Sequence, residues 1–182
     1  MECTNEVLIE DLVKRTQGNI EVAEELKKQK EIALNKKKNE KAWSALECVE
    51  HLNRYSRFYL PELALKISSA HPVQSNAVFK SGVLGNYFAK SVSNKPQVNK
   101  MKTLREMNPN GSLLKTTVLT SFITDQYDLL ELLEKAKSLD LTRTKTAISI
   151  SKLIKLRFGD TLRVVIYHNE RHLAQALRAA KE

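Results

Sequence analysis

A chain of 182 residues with a formal net charge of +9 is long enough for one domain with its own core. Its 42% hydrophobic and 28% charged residues are those of an ordinary soluble globular protein, and no apolar run approaches the length of a membrane span. Five glycines and four prolines are too few for an all-β chain of many tight turns, and two cysteines, Cys3 and Cys48, make no disulfide framework.

The first ten residues mix acids with apolar side chains and do not read as an export signal, so a cytoplasmic location with free thiols is expected. From Glu6 to about Lys36, apolar residues such as Leu8, Leu12, Ile20, Ala23, Leu26 and Leu34 recur at helical steps, with Gly18 as a candidate bend. The stretch from Lys27 to Lys41 is strongly basic around Lys36-Lys37-Lys38. It reads either as a phosphate-binding patch or as a solvated helix end. No aromatic residues interleave it, so nucleic acid is an unfavoured partner.

Ser44 and Glu47 form a capping box for a second helix, with Trp43 placed to staple the turn against Cys48. That helix runs through His51, Leu52, Tyr55, Tyr59, Leu63 and Ile67, and Pro61 predicts a kink or a new start. His51 falls on a shoulder beside Cys48, Tyr55 and Phe58. Residues 69–112 are the least regular, with Phe79–Val92 as a short helix burying Val83, Leu84, Tyr87, Phe88 and Ala89. His71, next to Pro72, reads as a surface turn histidine rather than a ligand. A connection this long in a single domain is a candidate cover for a site.

Ser112 is placed to cap a third helix from Leu113 to about Ser138, in which Asp125, Gln126 and Tyr127 interrupt the apolar face. Residues 139–159 are ambiguous; the alternation Ala147-Ile148-Ser149-Ile150-Ser151 suggests an extended or short helical connector. The last helix, Asp160 to about Ala180 with Asp160 as N-cap, carries an apolar stripe through Leu162, Val165, Ile166, Leu173 and Ala176. His168 and His172 lie on one flank of that stripe. A separation of four residues puts two imidazoles about 40° apart, one turn above the other, within reach of one metal ion. Four substantial helices with long connections predict an all-α helical bundle occupying the whole chain, 1–182, with its core over about 6–181.

Several motifs now stand in order: Trp43-Ser44-x-x-Glu47-x-x-x-His51-Leu52, then Phe79-Lys80-Ser81-Gly82 and Gly85-Asn86-Tyr87-Phe88, then Gly159-Asp160-Thr161-Leu162 and His168-x-x-x-His172-Leu173-x-Gln175. Together they resemble the DinB-like family. The resemblance implies an antiparallel four-helix bundle, here with a long irregular connection between the second and third helices. It also implies a divalent metal held by three histidines, one from the second helix and two from the last; mapped by motif these are His51, His168 and His172. Zinc or nickel is the first expectation, and iron or manganese also accepts nitrogen ligands. Relatives with Lys36-Lys37-Lys38 replaced by an aromatic residue and a proline are common, so the first interhelix turn departs from the pattern.

Three neutral imidazoles leave coordination positions open for water or substrate. The resemblance implies either a thiol S-transferase, using a low-molecular-weight thiol such as bacillithiol, mycothiol or glutathione, or a metal-dependent hydrolase. Either would act on a small-molecule substrate, and pairing as a homodimer is a further implication. The alternative reading is a non-catalytic protein that uses its basic surface for an anionic ligand or nucleic acid.

Overall fold

Helix starts in this chain are set by side chains that satisfy the first free N–H groups. In the computed structural model, which describes residues 1–70, 72–73, 77–93 and 103–181, the Thr4 hydroxyl accepts from Val7 N–H and opens α1, Asn5–Lys27. The capping box at Ser44 forms as the sequence predicts: Ser44 Oγ accepts from Glu47 N–H at 3.2 Å, and the Glu47 carboxylate accepts from Ser44 N–H at 2.8 Å. It opens α3, Ala45–Ser68. The remaining helices are α2, Glu31–Leu34; α4, Val83–Val92; α5, Thr117–Ala136; and α6, Phe158–Ala179. A 3-10 turn covers Arg105–Met107. Two small antiparallel sheets complete the described residues: β1, Glu2–Thr4, pairs with β2, Val78–Lys80, and β3, Lys145–Ile148, pairs with β4, Ser151–Arg157.

The chain is therefore mostly helical, with small sheets added to the expected all-α architecture. Among the described residues, α1 packs against α5 and α6, and α3 packs against the same two helices. No helix among them is long and apolar enough to cross a membrane.

Several boundaries differ from expectation, each for a local reason. The first helix stops at Lys27 instead of continuing to Lys36. Lys30 is extended, α2 restarts the chain, and Leu34 turns into the core. Asn35 then holds the Leu114 backbone through its N–H and carbonyl. Gly18 does not interrupt α1, which continues through it. Pro61 likewise lies inside a continuous α3. The carbonyl it leaves unbonded, at Arg57, is on the exposed side of the helix, where water can satisfy it. The long connection is not irregular throughout, because it contains β2, α4 and the 3-10 turn. Within α4, Ala89 is buried and Phe88 half-buried, but Val83 is 94% exposed and Tyr87 65%, so only part of the expected apolar face packs. Ser112 does not cap α5: its N–H is taken by Glu47, and Glu31 accepts from Thr116 N–H at 2.8 Å to start that helix four residues later. Of the two readings for the connector after α5, the extended one holds, since residues 145–157 form a hairpin. His71 lies outside the described residues.

The last helix opens at Arg157 as N-cap, three residues ahead of the expected position. Asp160 is instead buried in the first turn. Its carboxylate accepts from Ser81 Oγ, Gly82 N–H and Arg163 Nη1, while Arg163 Nη2 reaches Asn86. A negative charge at a helix N-terminus is also favoured by the helix dipole. This knot fixes α4 against α6. A side chain at Gly85 would overlap Asp160, and one at Gly159 would overlap Phe79, so both glycines permit the close approach of these segments.

Buried apolar residues form two clusters. One gathers Leu8, Leu12, Leu63, Leu133 and Leu162; the other gathers Leu26, Leu46, Leu52, Phe122 and Leu173. Between them every long helix turns polar: Thr16 and Asn19 on α1, His51, Asn53 and Ser56 on α3, Gln126 on α5, and His168 and Asn169 on α6. Asn169 donates to Gln126 at 3.1 Å, which closes one side of this belt.

Candidate metal centre

His51 faces α6 from the second turn of α3, and His168 and His172 face back from successive turns of α6. The rings meet. Their centroids lie 4.6 Å apart for His51 and His172, 4.6 Å for His168 and His172, and 5.1 Å for His51 and His168. One nitrogen from each falls within 4.8 Å of the others, and Nε2 of His51 is 3.3 Å from Nε2 of His168. Two nitrogens about 2.0–2.1 Å from one ion at a tetrahedral angle are separated by about 3.3 Å. The cluster is thus compatible with a metal ion.

The other ring nitrogens support this orientation. His51 Nδ1 donates to the Met107 carbonyl at 2.6 Å, and His172 Nδ1 donates to Gln175 Oε1 at 3.0 Å. A proton held on Nδ1 leaves the Nε2 lone pair directed at the centre, the arrangement that metal-bound histidines use. The Met107 carbonyl is itself held in place. Arg54 Nη1 donates to the carbonyls of Glu106 and Asn108, and Trp43 Nε1 donates to Asn108 Oδ1.

Burial lowers the basicity of all three rings. His51 falls to about 4, despite the Met107 bond that favours its charged form. His172 falls to about 3, with His51 and Arg171 adding repulsion, and His168 also lies well below the usual histidine range. The rings are neutral at physiological pH, as ligands must be.

Around the cluster, Trp43 lies 4.7 Å from the His51 ring and 5.8 Å from that of His172. Tyr55 lies edge-on at 4.9 Å from His51 and 4.8 Å from His168. Burial pushes the Tyr55 phenol up to about 12, so it keeps its proton. A cavity of about 170 Å³ runs from the histidines past Tyr55 and Phe88 to Ile148, Ser149 and Leu156. Arg171 also lines it.

Cys48 does not join the histidines. Its side chain is fully buried in the apolar cluster with Leu46 and Leu52, and burial raises its thiol to about 12. Of the polar residues on the third predicted helix, Gln126 is buried against Asn169, whereas Tyr127 is exposed. Glu50 pairs with Arg54, and Glu170 with Arg15, so neither adjoining carboxylate serves the cluster. Lys80 pairs with Glu2 on the opposite edge of the β1–β2 sheet. Lys37 of the basic run bonds Glu47 and Asn110 and serves the fold.

Sequence reading set Tyr55 on the same shoulder as His51 without giving it a part in the site, although His51, Tyr55 and Tyr59 repeat every four residues along one face of α3. It missed the Met107 carbonyl, because a backbone group 56 residues away carries no residue-type signature.

No curated protein and no solved structure matches the chain. Residues 14–176, by contrast, match the family described as the DinB superfamily. The match takes in α3, most of α6 and all three histidines. With most of its length so matched, the chain belongs to the DinB superfamily.

Proposed function

We infer that this protein is a metal-dependent enzyme acting on a small molecule, with His51, His168 and His172 as ligands of a divalent ion. The observation that carries the reading is the convergence of three neutral imidazoles, two with Nδ1 already committed, in the lining of a cavity. The ring of contacts among α1, α5, α3 and α6 supports an antiparallel four-helix bundle as its frame. A divalent ion bound there supplies Lewis acidity, enough to hold a thiol or a water in its deprotonated form near neutral pH.

Thiol S-transfer is favoured over hydrolysis. Among the described residues that line the cavity there is no aspartate or glutamate, so a water would find no carboxylate base, whereas a thiolate is nucleophilic without one. The protein's own groups supply position and dryness. Met107 and Gln175 hold the ligand protons, Tyr55 offers a phenolic hydrogen-bond donor beside the histidines, and Phe88, Ile148 and Leu156 exclude water.

The test is metal content of untagged protein by elemental mass spectrometry, with His51→Ala and His172→Ala alongside. About one metal per chain, lost in both variants, is expected for a three-ligand site. The loaded protein is then assayed for conjugation of an electrophile to glutathione and bacillithiol. Metal retained in both variants, or none taken up from zinc, nickel, iron or manganese, overturns the reading.

A further inference from the structure

The cavity beside the histidines is chemically lopsided. Its walls are largely aliphatic and aromatic: Phe88 and Val92 from α4, Ile148 and Leu156 from the β3–β4 hairpin, Val164 and Val165 from α6. Its hydroxyl and amide groups are largely spoken for, since Tyr59 bonds Ser149 and Asn169 donates to Gln126. Among the described lining residues, Arg171 carries the single formal charge. It stands next to His172 in the chain and lines the same cavity as His168 and His172.

Arg171 is tethered but not neutralised. One guanidinium nitrogen, Nη1, donates to the Ser91 carbonyl of α4 at 3.1 Å. Among the described residues its other donors bond no group, and no carboxylate pairs with it. The contrast with its neighbours is informative: Arg54, Arg57, Arg163 and Arg15 all have carboxylate partners. A half-buried guanidinium fixed at one nitrogen presents its remaining N–H groups in a fork suited to a planar anion, and an apolar surround strengthens that bond. The cavity volume, about 170 Å³, exceeds the ~150 Å³ that accepts benzene. An occupant with a ring or short branched chain and one anionic group matches both size and charge. The net charge of +9 would draw such an anion in.

We propose that the substrate is a small organic carboxylate whose acid group is bound by Arg171 and whose apolar body fills the cavity between α4, α6 and the β3–β4 hairpin. This rests on the reading of that cavity as the substrate site and specifies the class of molecule it takes. Specificity then comes from a charge next to the histidines, and it excludes neutral analogues of the same shape.

The test uses phenylacetate and its neutral isostere phenylacetamide as probes, titrated calorimetrically into the full-length protein with and without zinc. Wild type is compared with Arg171→Met and Arg171→Lys, with zinc content and circular dichroism recorded for each. The expected result is phenylacetate binding about tenfold or more tightly than the amide, a preference lost in Arg171→Met and largely kept in Arg171→Lys. Equal binding of acid and amide, binding of neither, or a preference that survives in Arg171→Met overturns the proposal. Survival in Arg171→Met that vanishes without zinc assigns the acid to the metal, so that the metal reading stands and this one fails. An Arg171-dependent preference in protein that takes up no metal is the reverse case.

Discussion

At the scale of single residues, the histidines show how burial sets chemistry. The sequence places His168 and His172 one turn apart, and that spacing was legible. What it could not state is the environment, because the low basicity of each ring comes first from burial, with repulsion from the distant His51 ring added for His168 and His172. The sign of the consequence follows directly. In the unfolded chain a histidine titrates near ~6.5, whereas in the folded metal-free protein His51 titrates at about 4 and His172 at about 3. Between those limits the unfolded state binds protons that the folded state refuses, so stability rises with pH across the window. It is fully present above the unfolded value and is lost as pH falls from about 6.5 through the folded values. Urea denaturation of metal-free protein at pH 7.5, 5.5 and 4.5 should therefore show a steadily falling midpoint. The same series on His168→Gln should be shallower. A flat series, or one unchanged by the substitution, would mean that the buried rings do not control acid stability.

At the scale of elements, long helices were legible and short strands were not. The periodicity in α1, α3, α5 and α6 extends over twenty or more residues, enough to declare itself. β1 and β2 are three residues each and pair across more than seventy residues of chain, so no local pattern announces them. Helix ends were misread where the cap came from another element, as Glu31 does for α5. The glycines illustrate the same division. Gly18 sits in the interior of α1 with nothing within 4 Å of where a side chain would project, while Gly85 in α4 is pressed against the Asp160 carboxylate of α6. Gly18→Ala should stabilise the protein by about 0.5–1 kcal/mol through helix propensity alone. Gly85→Ala should cost about 1–3 kcal/mol, because the buried Asp160 network cannot yield without losing bonds to Ser81 and Gly82. Equilibrium unfolding of the two variants decides the point. Equal effects would show that α4 is not locked to α6 through this knot.

At the scale of the whole molecule, the polar belt between the two apolar clusters is also the place where the histidines meet. Each long helix gives up apolar contacts at that level. Two of them, α3 and α6, gain histidines in return, from positions more than a hundred residues apart. This placement was only half legible: the individual histidines stand on the flanks of apolar stripes, but the level at which four stripes turn polar together depends on the register of helix against helix. An ion held by His51, His168 and His172 would join α3 to α6 across the belt and bind the folded state alone. Free metal at a hundred times its dissociation constant would then add about 2.7 kcal/mol to stability. For a domain of this size that corresponds to a rise of about 5–10 °C in Tm. Removing the metal with a chelator should lower Tm by the same amount, restoring it should reverse the change, and His168→Ala should melt at one temperature with or without chelator. A wild-type Tm indifferent to chelation would show that the belt is held by its own hydrogen bonds, such as Asn169 to Gln126, and that any ion there leaves the fold unaffected.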